Sequence, residues 1–251
     1  MTEVASVLYG REDVRRRVEE LGRTITGDYV GREPVLVTVL TGGAVFLADL
    51  IRSVDLPVET HFMAISRYGD AEESFGRVQI LLDVEIDLAG RDVVLVEDIV
   101  DTGLTSRYML SVLGARGPAS LEICTLLDRS VRRIVPLLPR YVGFDCPDTF
   151  VVGYGLDYRE RYRNLPDILR VDDLAALRAD PDVLASVQDA RDLRHVAEQA
   201  TRAPNEGVEL MGQPESARTA PTIDRPREMP ARAHHGPEDA GGGGTRSARF
   251  R

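Results

Sequence analysis

The chain has little cysteine, no basic surplus and no long apolar run, and each shortage removes a class of function. Its two cysteines, Cys124 and Cys146, stand in unrelated contexts without metal-ligand spacing. Two thiols cannot build a disulfide framework, so a reducing cytoplasm is the expected setting. A net charge of −10 argues against a nucleic-acid surface and against a basic membrane-binding face. No segment approaches the roughly 18 continuous apolar residues of a membrane span, and residues 1–10 lack the basic start and apolar run of an export signal. Internal repeats are absent as well. Hydrophobic residues still make up 43% of 251, which is enough for a substantial core in one large domain or two small ones.

What is present is concentrated in one stretch. Val93-Val94-Leu95-Val96 reads as a strand buried on both faces, as in the middle of a parallel sheet. Two carboxylates, Glu97 and Asp98, follow at its C-terminal end. Asp101-Thr102-Gly103-Leu104-Thr105 then forms a turn rich in hydroxyls and backbone N–H groups, opening into the helical pattern Tyr108, Leu110, Val112, Leu113. Open α/β sheets bind ligands at the carboxyl ends of their strands. A helix N-terminus there offers unpaired donors and a positive dipole end to an anion. An acid pair and a phosphate cradle on one loop suit a phosphorylated ribose. An ordinary helix cap at Asp101 or Thr102 and a solvated strand end at Glu97-Asp98 are the competing readings.

The rest of the chain fits an α/β pattern. Val14, Val18, Leu21 and Ile25 mark an amphipathic helix, with Arg15-Arg16-Arg17 on its solvated face. Residues 35–40 repeat the buried-strand pattern and end in Thr41-Gly42-Gly43 before a helix holding Phe46, Leu47 and Leu50. Those glycines serve either a tight connection or a close approach of backbone to ligand. Residues 58–66 read as a strand, 67–76 as a polar, glycine-flanked loop and 77–82 as a returning strand. Residues 121–127 form a further strand in which Cys124 is a core residue. It runs into Asp128-Arg129-Ser130. The segments 141–144 and 149–158 follow, the second being Thr149-Phe150-Val151-Val152-Gly153-Tyr154-Gly155-Leu156-Asp157-Tyr158.

The string Val-Glu-Asp-Ile-Val-Asp-Thr-Gly-Leu-Thr at 96–105 resembles the 5-phosphoribosyl-1-diphosphate (PRPP) motif of type I phosphoribosyltransferases, in the form typical of hypoxanthine-guanine phosphoribosyltransferases. Four motifs between residues 12 and 171 share the resemblance. It implies a central, mostly parallel twisted sheet flanked by helices, with a small hood, over residues 1–171. A peripheral helical extension at 172–200 and a Pro-, Gly- and charge-rich tail at 201–251, expected to be disordered, complete the chain.

The resemblance also implies roles. Asp101 is the catalytic base or acceptor facing ring nitrogen 7 of a purine. Glu97, Asp98, Asp101, Thr102, Gly103, Leu104 and Thr105 bind PRPP, with Thr41, Gly42 and Arg163 toward its pyrophosphate. Arg129, Phe150 and Val151 bind the base, through its 6-oxo group, its ring face and its edge in turn. Arg67 and Tyr68 belong to a flexible loop that closes over the reacting centre. Mg2+ is the implied cofactor, with Glu97, Asp98 and Asp157 toward it, and Leu40–Thr41 is a site for a cis peptide. The implied partners are PRPP and a purine base, with no nucleic acid or membrane, in a homodimer or homotetramer. Three positions depart from the family pattern: Thr41 and Arg129 stand where lysines are usual, and Arg67 replaces a serine. They motivate an alternative, a relative that ribosylates a modified purine such as a 7-deazapurine. A PRPP-sensing regulator is a further alternative, but the acidic charge and the lack of a helix-turn-helix pattern weigh against it.

Overall fold

The computed structural model describes residues 4–68 and 77–184. Its elements run β1 (Ala5–Tyr9), α1 (Arg11–Asp28), β2 (Val35–Leu40), α2 (Gly43–Ser53), β3 (Glu59–Tyr68), β4 (Arg77–Leu82) and β5 (Asp92–Val100). They continue with α3 (Leu104–Gly114), β6 (Ser120–Asp128), β7 (Tyr141–Asp145), β8 (Phe150–Val152), β9 (Ile168–Val171) and α4 (Leu174–Ala179). Six strands form the main sheet in the order β4-β3-β2-β5-β6-β7. All pairings are parallel except that of β3 with the edge strand β4. The mostly parallel α/β sheet expected from the sequence is therefore what forms.

The apolar run of β5 explains its central place. Successive side chains point to opposite faces. Val94 and Val96 pack with Val14, Val18, Phe46 and Leu47 of α1 and α2, whereas Val93 and Leu95 pack with Met109 and Leu113 of α3. All four strand residues are fully buried. Each contributes roughly 1.5–3 kcal/mol of hydrophobic stabilisation, so a strand apolar on one face alone would not fit here. Cys124 lies in the same core at 0% exposure, and burial alone raises its thiol pKa.

Helix α1 buries Val14, Val18, Leu21 and Ile25, as their spacing requires. Arg15 and Arg16 pair with acids of their own helix. Arg17 departs from the solvated reading of the arginine run. Its guanidinium donates to the carbonyls of Gly143 and Val142 at 2.7 and 2.8 Å, tying α1 to β7.

A second sheet, β1-β9-β8, is antiparallel and makes the small hood. Strand β1 was not expected from the sequence. It forms because Ala5, Ser6 and Val7 have β9 to pair with. Strand β3 extends to Tyr68, two residues past the boundary expected at Ser66. Arg67 and Tyr68 thus occupy the last ladder positions, opposite Val78 and Arg77, and not the loop proper. The remainder of that loop, residues 69–76, lies outside the described residues. Of the extension expected at 172–200, α4 is described, and its first turn is capped by Asp173, which accepts the Ala176 N–H at 2.9 Å. Residues 185–200 and the 201–251 tail lie outside the described residues.

The sheet order fixes where a ligand can go. From β2 the chain crosses by α2 to β3, and from the adjacent β5 it crosses by α3 to β6, on the other side and over the other face. The carboxyl ends of β2 and β5 therefore flank a topological switch point, the place where open α/β sheets leave a crevice.

Candidate active site

The crevice is present. A cleft of about 590 Å³ opens at those strand ends and is lined by Leu40, Gly42, Glu97, Asp98, Asp101, Thr102, Gly103, Thr105, Asp157 and Arg163, among others. Residues distributed over more than a hundred positions of sequence are thereby brought to one place. Thr41, Leu104, Arg129, Phe150 and Val151 do not line it. The peptide Leu40–Thr41 is cis, as the resemblance implied.

Glu97 and Asp98 stand inside β5, which continues to Val100, and alternate across it, so they do not face the same way. Glu97 is 7% exposed. Burial first, and the neighbouring Asp98 second, push its carboxyl up to about 8, although the Ser106 hydroxyl opposes this from 3.5 Å. Asp98 is also raised, chiefly by burial, while its hydrogen bond from the Ile99 N–H at 2.8 Å and the Arg163 charge act against the shift. Gly42 makes room for Asp98: a methyl group there would lie 1.8 Å from Asp98 Oδ2. That is the close approach for which a glycine is needed. Gly42 itself has ordinary helical dihedrals, φ −58° and ψ −47°.

The following turn is held from outside the cleft. Gly103 adopts φ +83° at the start of α3, a left-handed conformation that favours glycine. The Ile134 and Val135 N–H groups donate to the Thr102 carbonyl at 2.9 and 3.4 Å. Asp101 lies between two guanidinium groups, Arg129 at 3.2 Å and Arg132 at 3.6 Å, and both meet the same oxygen, Oδ2. Its other oxygen, Oδ1, is buried and has no hydrogen-bond partner. Arg129 is 6% exposed, and its Nε is likewise buried without a partner. Arg129 thus adjoins the cleft through Asp101.

Asp157 and Arg163 are partners of each other. Arg163 makes a 2.9 Å ion pair with Asp157 and another with Glu160, and donates to the Gly155 carbonyl at 2.7 Å. Asp157 also accepts the Glu160 N–H at 2.8 Å. Phe150 stands in β8 with its ring edge-on to Tyr158 at 5.9 Å. Val151 turns its side chain into the core. Strand β8 is the edge of its sheet, so alternate residues keep backbone groups free of the ladder.

Sequence reasoning missed Ser106, Arg132 and Glu160. Ser106 carried a usable signal, being a hydroxyl in the first turn of the helix that opens behind the acid pair. Arg132 carried none, because its approach to Asp101 depends on the short 3₁₀ turn at Ser130–Arg132. Among the described residues no group of three or more His, Cys, Asp or Glu side chains is arranged to hold a metal ion unaided.

A family model described as a phosphoribosyl transferase domain matches residues 8–159. The chain is 46% identical over 176 residues to the hypoxanthine-guanine phosphoribosyltransferase of Mycobacterium avium, covering 68% of this chain and 87% of that protein. It is 43% identical over 166 residues to the enzyme of the same name from Bacillus subtilis, covering 66% and 92%. Among solved structures it is similar to a hypoxanthine-guanine phosphoribosyltransferase from Bacillus anthracis, with a TM-score of 0.64 and 43% identity over 67% of this chain and 99% of that one.

Proposed function

The chain belongs to the hypoxanthine-guanine phosphoribosyltransferase family, and from that premise we propose that its cleft joins PRPP to a 6-oxopurine, hypoxanthine or guanine, in purine salvage. The products are a nucleoside 5′-monophosphate and pyrophosphate. A purine ring nitrogen forms a bond to the anomeric carbon as the bond to pyrophosphate breaks, with inversion. Rupture ahead of attack places positive charge on the ribose ring.

One observation carries the choice of base. Asp101 Oδ1 and Arg129 Nε belong to one ion pair, and both are buried without partners. A buried polar group left unpaired costs about 1–3 kcal/mol, so a base seated where Asp101 borders the cleft, and reaching Arg129 behind it, would gain by supplying the missing bonds. It needs a donor beside an acceptor. A 6-oxopurine protonated on nitrogen 7 has that edge, N7–H to Asp101 and O6 to Arg129, and leaves nitrogen 9 free to attack. Adenine offers an amino donor where Arg129 needs an acceptor. A 7-deazapurine has carbon where Asp101 needs a polar hydrogen, so the modified-purine reading is not favoured. In this assignment Asp101 takes the proton of N7 as the new bond forms.

The other roles are those the family resemblance implies. The Thr102–Thr105 amides and hydroxyls hold the 5′-phosphate at the head of α3. Thr41, Gly42 and Arg163 are assigned to the pyrophosphate, and Glu97 and Asp98, which both line the cleft, to the ribose hydroxyls. Phe150 stacks on the base and the backbone of Val151 reads its edge, both from the hood. The chemistry is mainly positioning and electrostatics.

Enzymes of this family generally use Mg2+. The cleft fits an ion carried in by its substrate: its donors are hard carboxylate oxygens, too few to hold the ion without phosphate and water. Asp98, Asp157 and, once ionised, Glu97 would meet its shell. When bound, the ion neutralises the departing pyrophosphate. No helix among the described residues is long and apolar enough to cross a membrane, and we place the enzyme in the cytoplasm as a homodimer or homotetramer. PRPP-dependent pyrophosphate release, measured with hypoxanthine, guanine, xanthine, adenine and 7-deazaguanine, tests the reading. Hypoxanthine and guanine should lead, and a faster rate with 7-deazaguanine would overturn the assignment of Asp101 and Arg129.

A further inference from the structure

Arg133 has no role in the reading above, yet it is a largely buried charge with donors to spare. Its side chain is 12% exposed, and Nη2 pairs with the equally hidden Asp128 carboxylate. Its Nε and Nη1 are buried and have no hydrogen-bond partner. Burying a guanidinium is costly, and one carboxylate satisfies only part of its donor fork.

The free side of the fork lies against the phosphate turn. A methyl group on Gly103 would sit 3.0 Å from Arg133 Cδ and 3.4 Å from Nη1. Arg133 therefore packs, together with Val135 Cγ2 at 2.9 Å from the same point, directly behind the glycine of the turn that lines the cleft. The adjoining Ile134 and Val135 amides bind the Thr102 carbonyl, so Arg133 and the turn are held as one unit. The Asp128–Arg133 pair is in effect a buried dipole with its positive end at Gly103.

We propose that Arg133 is a positioning residue for the 5′-phosphate, supplying from behind Gly103 the positive charge that the turn's own residues lack. This rests on the reading of residues 101–105 as the phosphate cradle. Thr102, Gly103, Leu104 and Thr105 offer amides and hydroxyls but no cation, and a phosphate dianion is the ligand that the positive end of the Asp128–Arg133 pair would attract. Arg133 touches no reacting atom. Its effect should follow the phosphate group alone.

The test compares GMP, which carries the 5′-phosphate, with guanosine, which lacks it, as competitive ligands of the full chain. In the unmodified protein GMP should bind more tightly than guanosine. Arg133→Gln should weaken GMP by roughly 10–100-fold, the effect of losing a charged partner, while guanosine is unchanged. Arg133→Lys should restore most of the loss. Because Arg133→Gln leaves Asp128 alone in the interior, the double variant Arg133→Gln, Asp128→Asn removes both charges and should show the same phosphate-specific loss. Equal losses for the two ligands in the double variant, or no loss for GMP, would overturn the role of Arg133. Equal binding of GMP and guanosine by the unmodified protein would instead overturn the phosphate cradle itself.

Discussion

Replacing Glu97 with glutamine tests whether the acid pair is poised as the fold implies. Glu97 is shifted from an ordinary value of 4.5 up to about 8 by burial and by Asp98. Between those two pH values the folded chain keeps a proton that the unfolded chain gives up. Folding is therefore opposed more strongly as pH rises, by about 1.4 kcal/mol per pH unit for one proton. Below about pH 4.5 both states are protonated and nothing is lost. Above about 8 the loss is complete. Glutamine keeps the shape and neutrality of the protonated acid and has no proton to lose. From pH 5.5 to 7.5 the stability of Glu97→Gln relative to the unmodified protein should grow by about 3 kcal/mol, or roughly 5–10 °C in melting temperature. Thermal unfolding of both proteins without ligand, across that range, is the assay. Parallel stability curves would refute the buried, protonated Glu97.

Three further outcomes follow from the same geometry. Asp101→Ala should lower kcat by a factor on the order of 10²–10⁴ while leaving PRPP binding mostly intact, as steady-state kinetics would show; unchanged turnover removes Asp101 from the proton-accepting role. Arg129→Lys should shift the ratio of kcat/KM between hypoxanthine and the other bases, since lysine presents a point charge where arginine presents a planar fork; an unaltered ratio places base choice elsewhere. Gly42→Ala strains no dihedral but drives a methyl group into Asp98 Oδ2, so PRPP-dependent activity should fall by roughly tenfold or more, and in an Asp98→Ala background the same change should cost far less, by the logic of a double-mutant cycle.

The strands of the main sheet were legible because their signal is local. The Val93–Val96 run is continuously apolar and Val35 to Leu40 is apolar except for Thr38, whose hydroxyl donates to the Val96 carbonyl, and burial on both faces leaves most of these residues few other places to go. Strand β1 was not legible, since five residues with no strong alternation acquire their state from β9, more than 150 positions away. The same contrast divides the site. Glu97, Asp98 and the Thr102–Thr105 turn sit on one short string and could be read from it. The grip of Arg129 and Arg132 on Asp101, and the pairing of Asp157 with Arg163, depend on where loops fold back. Arg17 misled for a related reason: its neighbours Arg15 and Arg16 are solvated, and only the position of β7 separates it from them.

The most direct test of the central claim is product analysis with the unmodified protein, PRPP, Mg2+ and either hypoxanthine or guanine. A nucleoside 5′-monophosphate and pyrophosphate should form in equal amounts, and both should form on the order of 10²–10⁴-fold more slowly when Asp101 is replaced by alanine. Failure to form a nucleotide from either base, or formation at an undiminished rate without the Asp101 carboxylate, would contradict that claim.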